Sequence, residues 1–283
     1  MATLTFYGAI EGVTGSMYLL QSEDSKVLLD CGMFQGRKEE EEANLEPLPF
    51  EVAELDAVVL SHAHLDHSGR LPLLVAAGYQ GDIFMTSPTC DLIEVLLQDA
   101  ASLQERDAEW QNKRHRRSGH DEVEPLYRLE DVESTLPLCV GMPYYKRFAV
   151  AKGIEVRFLD AGHILGSSIV EVYIEEQGKH KKLVFSGDLG NSQAALLRDP
   201  DAVEQADVLL MESTYGDREH KSMQETLDEF ERVLEKAQRD GGNILIPSFA
   251  VGRTQEMLFR LGQLYQEGKL QRQAVYLDSP MAI

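Results

Sequence analysis

Three histidines and an aspartate fall within six consecutive positions, His62, His64, Asp66 and His67, in the run Ser61-His62-Ala63-His64-Leu65-Asp66-His67-Ser68-Gly69. The chain holds only 8 histidines in 283 residues, so this clustering is informative. Neutral imidazole suits zinc, iron, copper or nickel and carboxylate suits harder ions; the mixture without thiolate fits a hydrolytic site with open coordination positions. A structural zinc more often recruits cysteines. His62 and His64 stand two apart, which on an extended segment aims both rings to one side. Asp66 and His67 begin a helical stretch and point elsewhere. One cluster can then serve two ions.

The elements around the cluster must carry these groups to one place. The apolar run Ala57 to Leu60 reads as a buried strand that empties into the histidines. His163 follows a strand-like segment, Glu155 to Leu159, in Asp160-Ala161-Gly162-His163-Ile164-Leu165-Gly166-Ser167, and Asp188 follows Lys182 to Ser186 in Ser186-Gly187-Asp188-Leu189-Gly190. Both sit in Gly-flanked turns at strand ends, where backbone approaches an ion closely. Each alone is an ordinary loop residue; beside the cluster they become candidate ligands. Asp188 can bridge two ions with its two oxygens.

Further strands are expected at Thr3 to Gly8, Tyr18 to Gln21 and Lys26 to Asp30, as antiparallel neighbours, and at Asp82 to Thr86, Ile169 to Ile174 and Asp207 to Met211. Ser87-Pro88 opens a long amphipathic helix with Leu92, Ile93, Leu96, Leu97 and Ala100 on its apolar face. Its far end turns basic over Lys113 to Arg117. A shorter helix is expected from Leu129 to Leu136. Beyond residue 215 the pattern predicts helix Met223 to Gln238, strand Ile244 to Pro247, helix Val251 to Tyr265 and strand Ala274 to Leu277, an alternation typical of parallel α/β units.

Composition narrows the function. With 43% hydrophobic and 27% charged residues the chain is a packed globular protein of one large or two ordinary domains. Its apolar runs stay far below the roughly 20 residues that cross a bilayer. The first basic residue is Lys26, which leaves no charged leader segment, so a cytoplasmic location is expected. Cys31, Cys90 and Cys139 read as reduced thiols. A net charge of −21 disfavours a generic grip on nucleic acid or anionic lipid, so a polyanionic substrate needs bound cations or a local basic cluster. A homodimer or a protein complex stays open as the assembly.

Asp30 after an early strand, the His62/His64/Asp66/His67 cluster, His163 and Asp188, in that order, resemble the metallo-β-lactamase superfamily. The resemblance implies an α/β fold, a four-layer αββα sandwich with a dinuclear metal site at one sheet edge, and a role for Asp30 in orienting the ligand histidines from behind. Three later stretches, Leu210 to His220 with Glu212-Ser213-Thr214-Tyr215, Ile246 to Glu256 with Arg253, and Tyr276 to Ala282, resemble the β-CASP nucleases. In that group an acidic residue at the position of Glu212 assists catalysis. The implied domains are a metallo-β-lactamase part, residues 1–215, and the start of an inserted α/β β-CASP domain, residues 216–283.

One departure matters. The resemblance implies two later histidines, whereas none follows His220, and His220 itself belongs to its own motif. The first ion is then offered His62, His64, His163 and Asp188, and the second only Asp66, His67 and the shared Asp188. A truncated chain, nearly inactive alone, is the expectation.

The implied reaction is hydrolysis of RNA phosphodiester bonds by a metal-bound hydroxide, with two divalent ions, zinc first and manganese or iron as alternatives. Asp66 would orient the attacking oxygen, and Glu212 would aid protonation of the leaving oxygen. Arg253 offers a positive group for substrate. The basic run is a solvated helix end or a contact to the nucleic-acid backbone. DNA is the weaker substrate. The rival classes are a thioesterase or lactonase using the same metals, and a non-catalytic scaffold.

Overall fold

A computed structural model describes residues 2–118, 121–270 and 274–282. Contacts divide the chain into two compact units, Met1–Ser192 with Arg198–Glu212, and Gln193–Leu197 with Ser213–Ile283.

The first unit is built on two mixed sheets. One contains β1 (Thr3–Phe6), β2 (Tyr18–Gln21), β3 (Lys26–Leu29), β4 (Ala57–Val59), β5 (Ile83–Thr86) and β6 (Cys139–Met142), side by side in chain order. The first three are antiparallel, as their short turns require, and β3 to β6 are parallel. The second contains β7 (Phe148–Ala151), β8 (Ile154–Asp160), β9 (Ser168–Glu176), β10 (Lys179–Phe185) and β11 (Val208–Leu210), antiparallel except for the β10/β11 pair.

The period of two along these strands makes the core. Ile154, Val156 and Phe158 of β8 and Val170, Val172 and Ile174 of β9 point inward and meet Val27, Leu29, Ala57 and Val59 of the facing sheet. The short helices α1 (Lys38–Glu42), α2 (Leu65–Ser68) and α3 (Leu71–Ala76) precede the 32-residue α4 (Ser87–Ser118), which α5 (Leu129–Thr135) follows. α4 packs against β5 and β6, with α5 between it and α3. Its apolar side, Ile93, Leu97, Ala101 and Ala108, is buried. The architecture is an α/β fold of two sheets with flanking helices, in agreement with the class read from the sequence.

Two strands escaped that reading. β6 carries Gly141 between Pro137 and Pro143, residues that signal turns. The glycine eases a close approach: a Cβ there would come within 3.1 Å of the Ser87 Cα at the start of α4. β7 is a four-residue edge strand whose register shifts between Ala149 and Ala151.

The second unit holds α6 (Met223–Asp240) and α7 (Arg253–Gln266) around a small core of Leu234, Leu264 and Leu270. α6 starts on a capping box in which Ser222 and Glu225 bond each other's backbone amides, and it stops at Gly241 with φ 71°. The strands expected at 244–247 and 274–277 do not form. Both segments pair with no neighbour among the described residues, and Leu245 and Tyr276 are 91% and 88% exposed. An apolar run becomes a strand only where a sheet accepts its hydrogen bonds, so the parallel α/β alternation is not realised here.

Candidate metal centre

The candidate ligands sit where strands end. β4 runs through Leu60 and Ser61 into His62, and His64 caps α2, which carries Asp66 and His67. His163 lies in the β8–β9 turn and Asp188 just past β10. Two glycines make the meeting possible. Gly187 has φ 53° and a Cβ there would stand 2.8 Å from that of Ser61; one on Gly190 would stand 1.8 Å from the Gly162 carbonyl.

Two donor sets result. His62, His64, His163 and Asp188 present ligand atoms within 4.8 Å of one another, and so do Asp66, His67 and Asp188. His64 Nδ1 faces His62 Nε2 at 3.2 Å and His163 Nε2 at 3.1 Å. Asp188 divides its oxygens: Oδ2 lies 3.5 Å from His163 Nε2 and 3.8 Å from His62 Nε2, while Oδ1 lies 3.2 Å from His67 Nε2. Asp66 Oδ2 is 3.8 Å from that same His67 nitrogen.

These spacings suit a cation. Ligands at about 2.0–2.1 Å from a tetrahedral ion stand roughly 3.3 Å apart, which is the spacing of the imidazole nitrogens. Four potential ligand atoms turned on one point can share a cation. The two sets fit a dinuclear metal site with Asp188 shared. Among the described residues the second set has three donors.

Asp30 lies behind His67. It is fully buried, with φ 57°, a left-handed conformation that turns its carboxylate back under the cluster. Oδ1 accepts the Ser61 N–H at 2.7 Å; Oδ2 accepts the hydroxyls of Ser61 at 2.8 Å and Ser16 at 3.3 Å and faces His67 Nδ1 at 2.6 Å. That contact holds the proton on Nδ1 and leaves Nε2 of His67 aimed at Asp66 and Asp188. Ser61 also touches His62 Nδ1 at 3.1 Å. His163 is fixed through its backbone, its N–H donating to Ser167 Oγ at 3.0 Å.

Burial sets the charge states. It lowers His62 well below the ordinary imidazole value, helped by His67, His64 and His163. It lowers His64 to about 4, with His163 and His67 adding to the effect, and lowers His163 as well. Neutral imidazole is the ligating form. Burial pushes His67 the same way, but Asp30 and Asp188 outweigh it and hold this ring well above the ordinary value. Burial raises Asp66. For Asp188 burial acts upward, yet the bond to His67 outweighs it and the carboxylate stays low.

Glu212 follows β11 beside the cluster: its Oε1 accepts the Leu189 N–H at 2.8 Å and its own N–H donates to Ser186 Oγ at 3.0 Å. Arg253 belongs to the second unit, where it opens α7 and pairs with Glu256 at 2.9 Å. His220, in the same unit, packs edge-on to Tyr215 with ring centroids 4.6 Å apart. Sequence reasoning missed Ser16, Ser61, Ser167 and Ser186. Their one signal is position, since each adjoins a strand end or a Gly-flanked turn.

The sequence profile of the metallo-beta-lactamase superfamily matches residues 10–237. Among curated proteins the chain is 42% identical over 277 residues to "Ribonuclease TTHA0252" of Thermus thermophilus, covering 98% of this chain and 58% of that protein. It is 35% identical over 285 residues to "Transcription termination factor FttA" of Methanothermobacter thermautotrophicus, covering 98% and 42%, and 31% identical over 287 residues to an "RNase J-like protein" of Methanocaldococcus jannaschii, covering 99% and 59%. The chain thus spans 42% to 59% of the length of these relatives. A solved protein of unknown function from Enterococcus faecalis shares the fold, with TM-score 0.51 at 15% identity over 94% of this chain and 63% of that one. Two sheets meeting over a shared-aspartate histidine cluster, together with a profile match across most of the sequence, lead to one conclusion: the chain belongs to the metallo-β-lactamase superfamily.

Proposed function

We propose that this chain carries the metal centre of a β-CASP ribonuclease, a hydrolase of RNA phosphodiester bonds working in the cytoplasm. The observation that carries the reading is the division of Asp188 between two donor sets. The ribonuclease names among the relatives supply the substrate class. On this reading residues 1–215 form the metallo-β-lactamase part and residues 216–283 open the β-CASP domain.

Two divalent ions, zinc by the preference of imidazole, supply Lewis acidity and charge neutralisation at phosphorus when bound. His62, His64, His163 and Asp188 would hold the first; Asp66, His67 and Asp188 would hold the second. Asp30 keeps His67 in the ligating tautomer. Asp66, whose pKa burial raises, would help to orient the attacking water. Glu212, whose Oε1 accepts the Leu189 N–H at 2.8 Å, would aid protonation of the leaving oxygen.

The test is cleavage of labelled single-stranded RNA by the metal-loaded natural protein that carries this chain, beside a thioester substrate. RNA cleavage that is lost in Asp66→Ala and His67→Ala is expected. Hydrolysis of the thioester with RNA left whole would assign the site to small-molecule chemistry instead.

A further inference from the structure

The basic end of α4 has no part in the metal centre. Looking down the helix, its buried side is Ile93, Leu97, Ala101 and Ala108, and the opposite stripe is Leu103, Arg106, Asp107, Trp110, Lys113 and Arg114, all exposed. Trp110 is 59% exposed and the Arg114 guanidinium carbon lies 4.7 Å from its ring centroid. Lys113 keeps a side-chain exposure of 74%, its contact to Glu109 stretched to 3.9 Å. Arg117, in the same run, falls outside the described side chains. Cations in the last turn of a helix complement its dipole, which accounts for Lys113 and Arg114. It does not account for Arg106 two turns earlier, nor for a large aromatic left in water.

An indole flanked by three cations and two acids, Asp107 and Glu109, keeps a local excess of positive charge, and such a surface can stack a base while its cations hold the phosphates. On a chain of net charge −21 it reverses the local sign. We propose that Arg106, Trp110, Lys113 and Arg114 form a platform for single-stranded RNA. The proposal rests on the ribonuclease reading and adds a second contact to it. α4 starts against the β8–β9 turn that carries His163, where Thr89 Oγ1 donates to the carbonyl of Gly166 at 2.9 Å. Trp110 stands 23 residues from Ser87, roughly 35 Å along the axis. At an axial rise of about 3.4 Å per nucleotide a stacked strand covers that distance in about ten nucleotides, and an extended one in fewer. The platform therefore serves long substrates and leaves short ones unaffected.

The chain holds 1 tryptophan, so its emission reports this surface alone. Titration with an unstructured oligouridylate of roughly twice that length is expected to quench Trp110 saturably, less so as salt rises. By anisotropy of labelled RNA, the triple variant Arg106→Gln, Lys113→Gln, Arg114→Gln is expected to flatten the log affinity against log salt slope by about 2, at about 0.7 per lost phosphate contact. Trp110→Ala is expected to bind about fivefold to a hundredfold more weakly, with Trp110→Phe recovering most of the loss. RNA binding with unchanged Trp110 emission, or a triple variant with the original slope, overturns the proposal. Equal quenching by polyglutamate assigns the stripe to acidic proteins and also overturns it. Cleavage keeps the two readings apart. Salt-dependent quenching of the chain, with no RNA cleavage by the metal-loaded natural protein that carries it, sinks the ribonuclease reading and leaves the platform standing, whereas equal cleavage of long RNA by that protein and its triple variant does the reverse.

Discussion

Replacing Asp30 by Asn removes one negative charge and almost no volume, and Asn tolerates the left-handed φ of 57° at this position. The amide oxygen can still accept the Ser61 N–H now held by Oδ1 at 2.7 Å. Its NH2 then occupies the place of Oδ2, 2.6 Å from His67 Nδ1, where two donors would meet. His67 must move its proton to Nε2, the atom that faces Asp188 at 3.2 Å, and loses the lone pair a cation needs. Losses of this kind behind a ligand histidine weaken metal binding by about 10- to 100-fold, equivalent to about 1.4–2.7 kcal/mol. The first donor set keeps its three imidazoles and Asp188. Competition against a chromogenic chelator resolves two sites: Asp30→Asn is expected to weaken one of them by that factor and spare the other. Ser16→Ala, which removes only the 3.3 Å bond, is the control that should leave both intact. Two sites within threefold of the original would refute the role of the aspartate.

Other expectations follow from the same geometry. Phe158 is fully buried between the sheets, so Phe158→Ala should cost about 3–5 kcal/mol in urea unfolding, with the unfolding slope unchanged. Gly187→Ala must place a Cβ at φ 53° and 2.8 Å from that of Ser61; a loss of about 1–3 kcal/mol is expected, together with weaker metal binding. For the metal-free protein, His64 titrates near 4 when folded and near 6.5 when unfolded, so the unfolded chain binds the extra proton between those values. This stabilisation is complete above about pH 6.5 and disappears by about pH 4, a loss of up to roughly 3 kcal/mol measurable by chemical denaturation across that range. His67, raised by its carboxylates, acts with the opposite sign: its contribution is complete below about pH 6.5 and fades only as pH rises through its higher folded value, so it does not offset the acid loss.

The centre was legible because its chemistry is concentrated. Three imidazoles within six positions point to metal binding on their own, and His163 and Asp188 were found from strand ends marked by glycine. The serines that hold these groups were not, since a serine in a turn looks the same whether its hydroxyl faces water or Asp30. Among the elements, strands with a strict period of two, such as β8 and β9, and the Ser87-Pro88 helix start were readable from local pattern. β6 was hidden because its Gly141 answers to α4, a partner more than twenty residues away. The segments 244–247 and 274–277 failed in the other direction: their residues have strand propensity, but a ladder depends on a neighbour that local sequence does not contain.

The most direct test is anomalous diffraction at the zinc edge from crystals of the metal-loaded protein. Two peaks are predicted, one enclosed by His62, His64, His163 and Asp188 and the other by Asp66, His67 and Asp188, with the aspartate touching both. A single peak, or peaks away from these side chains, would contradict the account.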